Sequence, residues 1–417
     1  MSQDALLRRH LLDCLASQLG SLPVTPKLER ADWDAWLVLV RMHRLGPLLH
    51  WKQAQAQGHD WPGFILDALA ASRRQHVIRS LQMRRELHHA NALLQEAGIP
   101  CMALKGAYLA WYTYPSPELR PIRDLDILVP PEHALRAYDI LLASGFEKVD
   151  EEHGEPAAIL AVHKHLPGIK RPDSSIKLEL HAQLFHADEG GGFAHELSRQ
   201  PGFWSRATQL DLAGYKVHYP APTDQLLHLL IHSIANHKLN NGPLIFTDVY
   251  FLLKDHHIDW PLFWQQASTM RHMPAATLGL QLAEHHWGAL PIQWLHALRT
   301  PPDTALLEAL RNFSLRDFNT VSDVTLTYRL TSGWAERWSV VREQVLPSPR
   351  ELAIRYPTQH KQWTLPYWYL RRWFDVIVRT IQALRVGQTQ DMHNEIKVLR
   401  QLDDWLAPPT PQGPKFS

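Results

Sequence analysis

Cysteine is nearly missing from this chain. Cys14 and Cys101 are the only two among 417 residues, far apart, so no disulfide framework is available and a reducing compartment fits. An excess of charge is missing as well. The formal net charge is +1, whereas loose binding to a phosphate backbone calls for a clear basic surplus. No long apolar run is present either. The longest stretch without Asp, Glu, Lys or Arg runs from His285 to Leu298, too short to cross a bilayer as a helix. Asp4, Arg8, Arg9 and Asp13 interrupt the first apolar residues and leave no signal-peptide core. The expectation is a cytoplasmic protein with no transmembrane segment and no nucleic-acid partner.

What is present is enough to build a core. Hydrophobic residues make up 45% and charged residues 20%, so global disorder is excluded, and the length suits two or three domains. The 26 histidines are scattered, which speaks against one large metal site.

Residues 1–97 read as helical. Leu6, Leu7, Leu11, Leu12, Leu15 and Leu19 recur at helical spacing. A second helix opens near Asp32 with Trp33, Trp36, Leu37 and Val40 on one face, and Gly46-Pro47 is a stop signal. A third runs from about Trp61 to Gly98, with room for a break. Its arginines 73, 74, 79, 84 and 85 read mostly as a solvated face. At Gly98 the texture changes. Ile99 to Leu104 reads as a buried strand, Ala107 to Tyr114 as a short helix, Leu125 to Val129 as a second strand, and Glu132 to Ser144 as a helix. Two more strands are expected at Ile159–His165 and Ser175–Ala182, separated by turn residues Pro167, Gly168, Pro172 and Asp173. The fold class is therefore α+β, with a small mixed sheet over 98–220 flanked by the N-terminal helical region and a C-terminal one at 221–400. Residues 401–417 read as a proline-rich tail.

The segment Arg120-Pro121-Ile122-Arg123-Asp124-Leu125-Asp126-Ile127-Leu128-Val129 carries the chemistry. On a strand, alternate side chains share a face. Asp124 and Asp126 therefore point one way while Leu125, Ile127 and Val129 enter a core. Carboxylates held side by side repel, and a hard cation between them removes the cost. Lys177-Leu178-Glu179-Leu180-His181 alternates in the same manner, with Glu179 on its polar face. If the two strands lie together, three carboxylates converge and can hold two metals for phosphoryl or nucleotidyl transfer. Taken alone, an Asp-x-Asp pair is more often just the wet face of a half-exposed sheet.

Family resemblance tips that balance. Gly98-Ile99-Pro100-Cys101-Met102-Ala103-Leu104-Lys105-Gly106-Ala107, Leu119-Arg120-Pro121 and Arg123-Asp124-Leu125-Asp126, then Lys177-Leu178-Glu179-Leu180-His181, resemble the uncharacterised bacterial nucleotidyltransferases of the DNA polymerase β-like superfamily. Leu229-Leu230-Ile231-His232, Thr247-Asp248 and Asp259-Trp260 are similar to that family's helical half, so the likeness covers about residues 30–385. It implies catalytic, metal-holding Asp124, Asp126 and Glu179, with magnesium in a two-metal site and manganese as a substitute. It also implies a nucleoside triphosphate donor and a small-molecule, sugar or peptide acceptor. Lys105 and Gly106 stand at the phosphate-binding turn, and Arg120 is a candidate phosphate clamp. Most superfamily members carry Gly-Ser there, and this chain has Gly106-Ala107. A non-catalytic nucleotide- or ligand-binding module that retains the fold is therefore the competing expectation.

His181, His232 and Asp248 are candidates for an acceptor pocket. His228 and His232 sit at i, i+4 with His237 and Asp248 nearby, but a zinc site is disfavoured against plain hydrogen bonding. Leu365 to Arg379 is aromatic, basic and helical in pattern. A membrane-surface helix and a packed helix with its arginines in water both fit, and packing is favoured.

Overall fold

The computed structural model describes residues 2–18, 20–56, 60–149, 154–161, 163–185, 196–295, 302–316, 342, 345–349, 352–353, 356, 364–385 and 390–407. Four helices come first: α1 (Gln3–Ala16), α2 (Arg30–Met42), α3 (Gly46–Gln55) and α4 (Gly63–Glu96). Ser2 caps α1 through the Ala5 amide. Glu29 and Asp32 form a reciprocal capping box on α2, which satisfies amides that the first turn leaves open. Trp33, Trp36, Leu37 and Val40 of α2 are buried with Leu7, Leu11, Leu12 and Leu15 of α1 in a small separate core.

Two helix expectations change. α2 stops at Met42, and Gly46-Pro47 opens α3 instead of closing α2. Proline fits the first turn of a helix, where its missing N–H costs nothing. The chain turns between them at Arg44, whose φ is +56°. α4 runs 34 residues without a break. Its arginines are also less idle than a solvated face requires. Arg73 forks onto Glu118 at 2.8 and 3.0 Å, and Arg79 donates to the carbonyls of Ile122 and Arg123.

The sheet has five strands: β1 (Met102–Ala103), β2 (Leu125–Leu128), β3 (Glu147–Lys148), β4 (Ile169–Lys170) and β5 (Leu178–His181). Their spatial order is β1-β2-β5-β4-β3, with β2 and β5 parallel and every other pair antiparallel. Helix α5 (Gly106–Tyr108) continues as a π-helical stretch to Thr113. α6 (Ala134–Ala143) follows β2. The strand expected at Ile159–His165 is not formed. Pro156–Leu160 makes the short helix α7, because Pro156 at its first position presets the helical φ. Within that segment His165 forms an isolated bridge to His181. The hairpin β6 (Thr208–Leu212) and β7 (Tyr215–Tyr219) was not anticipated. It turns at Ala213-Gly214, both with positive φ.

The C-terminal part is helical: α8 (Pro222–Leu230) running on as a π-helix through Asn236, α9 (Leu244–Asp255), α10 (Trp260–Thr269), α11 (Met273–Trp287), α12 (Thr304–Phe313), α13 (Leu365–Arg385) and α14 (Gln390–Leu406). One large core joins the second half of α4, the sheet, α8 to α12 and α14. α14 continues past position 401, where the proline-rich tail was expected to begin, and residues 408–417 lie outside the described residues. No helix among the described residues is long and apolar enough to cross a membrane.

Candidate active site

β2 and β5 place the acids. Leu125, Ile127, Leu178 and Leu180 are buried in the core, which forces Asp126 and Glu179 to the other face. The parallel register pairs Asp126 directly with Glu179. Asp124, two residues before Asp126 at the mouth of the strand, joins them on the wall of one cavity of about 340 Å³. The residues given catalytic, nucleotide-binding or acceptor-pocket roles from the sequence all line it: Lys105, Gly106, Arg120, Asp124, Asp126, Glu179, His181, His232 and Asp248.

Ligand-capable atoms of Asp126, Glu179 and His181 all lie within 4.8 Å of one another, and Asp124 stands outside that trio. His181 Nε2 is 2.9 Å from Asp126 Oδ1 and 3.6 Å from Glu179 Oε2. Lys105 Nζ is 3.5 Å from Asp126 Oδ2, and Lys177 Nζ is 2.9 Å from Glu179 Oε1. Burial alone would raise Asp126, but Lys105 and His181 outweigh it and hold the carboxyl far below the usual range. Glu179 is likewise buried, yet the hydrogen bond from His181 helps hold it at about 2. Asp124 goes the other way. Burial, then the charges of Asp126 and Glu179, push it up to about 6. Two of the three acids are thus satisfied and one is in excess. Hard carboxylate oxygens facing one another, with uncompensated repulsion, fit a magnesium-type cation.

The turn beside them is strained. Lys105 has φ +40°, a region costly for a residue with a Cβ. Gln225 at the start of α8 donates to the Lys105 carbonyl at 3.3 Å and helps to hold it. Next along, Gly106 is needed for space. A Cβ there would come within 3.2 Å of Ile122 Cγ2 and 3.3 Å of Arg120 Nη1.

Arg120 is engaged elsewhere than a phosphate clamp would be. Its Nε and Nη2 reach Asp248 at 3.1 and 2.8 Å, Nη1 donates to the Pro121 carbonyl, and the Tyr114 hydroxyl donates to Asp248 at 2.7 Å. The plain hydrogen bonding expected around His232 does not include Asp248, whose oxygens are taken by this knot. His228 is buried and His232 half-buried on the cavity wall, and desolvation, then the Lys105 charge, keeps both well below the usual histidine value. They do not gather with His237 and Asp248 into a metal-holding group among the described residues. His165 Nε2 sits 3.8 Å from Glu179.

The sequence reading missed part of the cavity wall. His43 and Arg44 come from the α2–α3 turn and Lys164 from the segment before β5. The Lys164 carbonyl accepts the Ala182 and Gln183 amides, which pins it alongside β5. Burial, then Lys105, lowers the Lys164 ammonium to about 8. Burial, then Arg123 and Arg79, lowers Arg44 to about 10. Arg123, just ahead of Asp124, also lines the cavity. The acidic floor therefore shares its cavity with five cationic residues, Arg44, Lys105, Arg120, Arg123 and Lys164, of which Arg120 is taken up by Asp248. Acids that can hold a metal and cations in one cavity suit a polyanion.

The family described as "Uncharacterised nucleotidyltransferase" matches residues 29–288, well over half of the chain and the whole of this cavity. The chain belongs to that nucleotidyltransferase family. No curated protein and no solved structure matches it. The resemblance seen in the sequence is to this same family.

Proposed function

We propose that the protein transfers a nucleoside monophosphate from a nucleoside triphosphate to a hydroxyl or phosphate acceptor in a metal-dependent reaction. The observation that carries the reading is the pairing of Asp126 with Glu179 across parallel strands, with Asp124 beside them on the same cavity wall. Asp124, Asp126 and Glu179 would hold magnesium, which supplies charge stabilisation at the attacking and leaving oxygens. Lys105, Lys164, Arg44 and Arg123 face the polyphosphate and neutralise it as pyrophosphate departs. Arg120 braces the loop that carries Asp124 by its fork onto Asp248, with Nη1 beside Gly106. His181 fixes the orientation of Asp126 through its 2.9 Å contact. His232, neutral and in the wall contributed by the helical half, is suited to meet an uncharged acceptor group.

The test is direct. Purified protein is incubated with α-labelled nucleoside triphosphates, magnesium and a cell-extract fraction, and both pyrophosphate and labelled product are measured. Pyrophosphate that matches the product, and that disappears in Asp126→Asn, supports the reaction. A second reading draws on Ala107 in place of serine and on the cations already resting on Asp126: a binding module that retains the fold. Tight triphosphate binding with no pyrophosphate release from any extract would favour it.

A further inference from the structure

The helix α13 presents large apolar side chains outward and holds a charged one inside. Its inward side carries polar and charged groups: Arg372 is only 2% exposed, Asp375 accepts from the Tyr356 hydroxyl at 2.8 Å, and the Tyr369 hydroxyl donates to the Pro347 carbonyl at 2.7 Å. Its outward side carries the apolar ones. Tyr367, Leu370, Phe374 and Ile377 are between 56% and 61% exposed, and Trp373 is 39% exposed. The spacing of three, four and three residues puts the first four on one stripe. In sequence the same spacing continues at Ile381 and Leu384. Leu346, next to the Val345 carbonyl that accepts from Trp373 Nε1, is 55% exposed as well. Single exposed apolar residues are ordinary. A continuous stripe of large ones on a 21-residue helix marks a surface that something covers.

Charge says what covers it. Residues 341–385 carry eight Lys and Arg against three Asp and Glu, in a chain whose net charge is only +1. Arg371, beside the stripe and 3.4 Å from Asp375, keeps its side chain 54% exposed, and Arg342, one turn before Leu346, is exposed. A second copy of this helix would bring the same positive charge against itself. A bilayer of anionic lipids accepts both parts: tyrosine and tryptophan sit at the headgroup boundary, leucine, phenylalanine and isoleucine enter the acyl edge, and arginines meet the phosphates. We propose that the outward face of α13 docks the protein onto an anionic lipid surface, lying in the interface and not spanning it. The proposal is independent of the reaction assigned to the cavity.

The full-length protein is sedimented with vesicles of phosphatidylcholine alone and with vesicles containing phosphatidylglycerol. Co-sedimentation with the anionic vesicles only, weakened by added salt, is the expected result. Phe374→Glu with Ile377→Glu should lower the partition by roughly tenfold or more. Arg371→Gln, which leaves the apolar stripe intact, should lower it about fivefold. Circular dichroism and pyrophosphate release in solution should match the wild type in each variant. Leu370→Gln serves as a milder probe should the double variant misfold. No binding to anionic vesicles, or equal binding by the folded double variant, overturns the proposal. So does a dimer in light scattering that the double variant abolishes, since the face would then belong to a second copy.

Discussion

The floor of the cavity and the brace behind it are made of the same materials and behave as opposites. In the brace, Asp248 meets Arg120 through both oxygens and the Tyr114 hydroxyl through one. Burial lowers Arg120, but Asp248 outweighs it and leaves the guanidinium firmly charged. On the floor, Asp126 and Glu179 have cationic partners, but Asp124 does not share them and is left at about 6. A structural ion pair is closed, each charge answered. A reactive one is left with a charge to be answered by what binds. Buried polar groups left in tension of this kind cluster where chemistry is done.

The sharpest way to break the comparison is to remove a charge from each side. Asp126→Asn should cut nucleotidyl transfer by about a thousandfold or more while the fold survives, since a lost metal ligand removes several kcal/mol of transition-state stabilisation. Pyrophosphate release and circular dichroism report the two halves of that statement, and a well-folded variant with normal turnover would sink it. Asp248→Ala should do the reverse. It leaves Arg120 buried and unpaired, a loss of about 3–5 kcal/mol, read as a lower midpoint in urea. If its stability is unchanged and only turnover drops, Asp248 belongs to the floor.

Smaller effects sharpen the contrast. Lys164→Met should raise the dissociation constant for a triphosphate about tenfold, the scale of one phosphate contact, with little change in melting. Gly106→Ala should cost about 1–2 kcal/mol of stability, because its Cβ must displace Ile122 or Arg120. The last test is pH. A proton on Asp124 competes with metal, so magnesium affinity measured by calorimetry should rise with pH through about 6 and level off above it. The sign for folding is opposite. A carboxyl raised in the folded state keeps its proton where the unfolded chain has lost it. Its contribution to metal-free stability therefore falls as pH climbs from about 4 to about 6. Affinity flat across that window would remove Asp124 from the ligand set.

How much of this was legible in the sequence follows from range. Alternation along a strand is local, so the shared face of Asp124 and Asp126 and the polar face of Glu179 could be read directly, and the helical flanks came from 3.6-residue spacing. The partners of Arg120 could not, because Tyr114 and Asp248 are assembled by packing between α9 and the π-helical stretch after α5, and no spacing links them to Arg120. Arg44 and Lys164 escaped for a related reason. One sits in a turn between helices and the other in a segment whose apolar residues 159–161 imitate a strand. Arg73 and Arg79 looked idle because a helix surface facing water and one facing a loop have the same composition.

That last pair has a dynamic consequence. Between Leu69 and Met83, α4 fully buries no side chain, and this stretch joins the small N-terminal core to the large one. Stretches of that kind open more readily than the cores they connect. Arg73 and Arg79 reach out from it to Glu118 and to the carbonyls of Ile122 and Arg123, just ahead of Asp124. Amide exchange along residues 70–82 should therefore keep time with exchange in the loop 116–124. The middle of one long helix would then act as a clock for the mobility of the loop that carries the first acid.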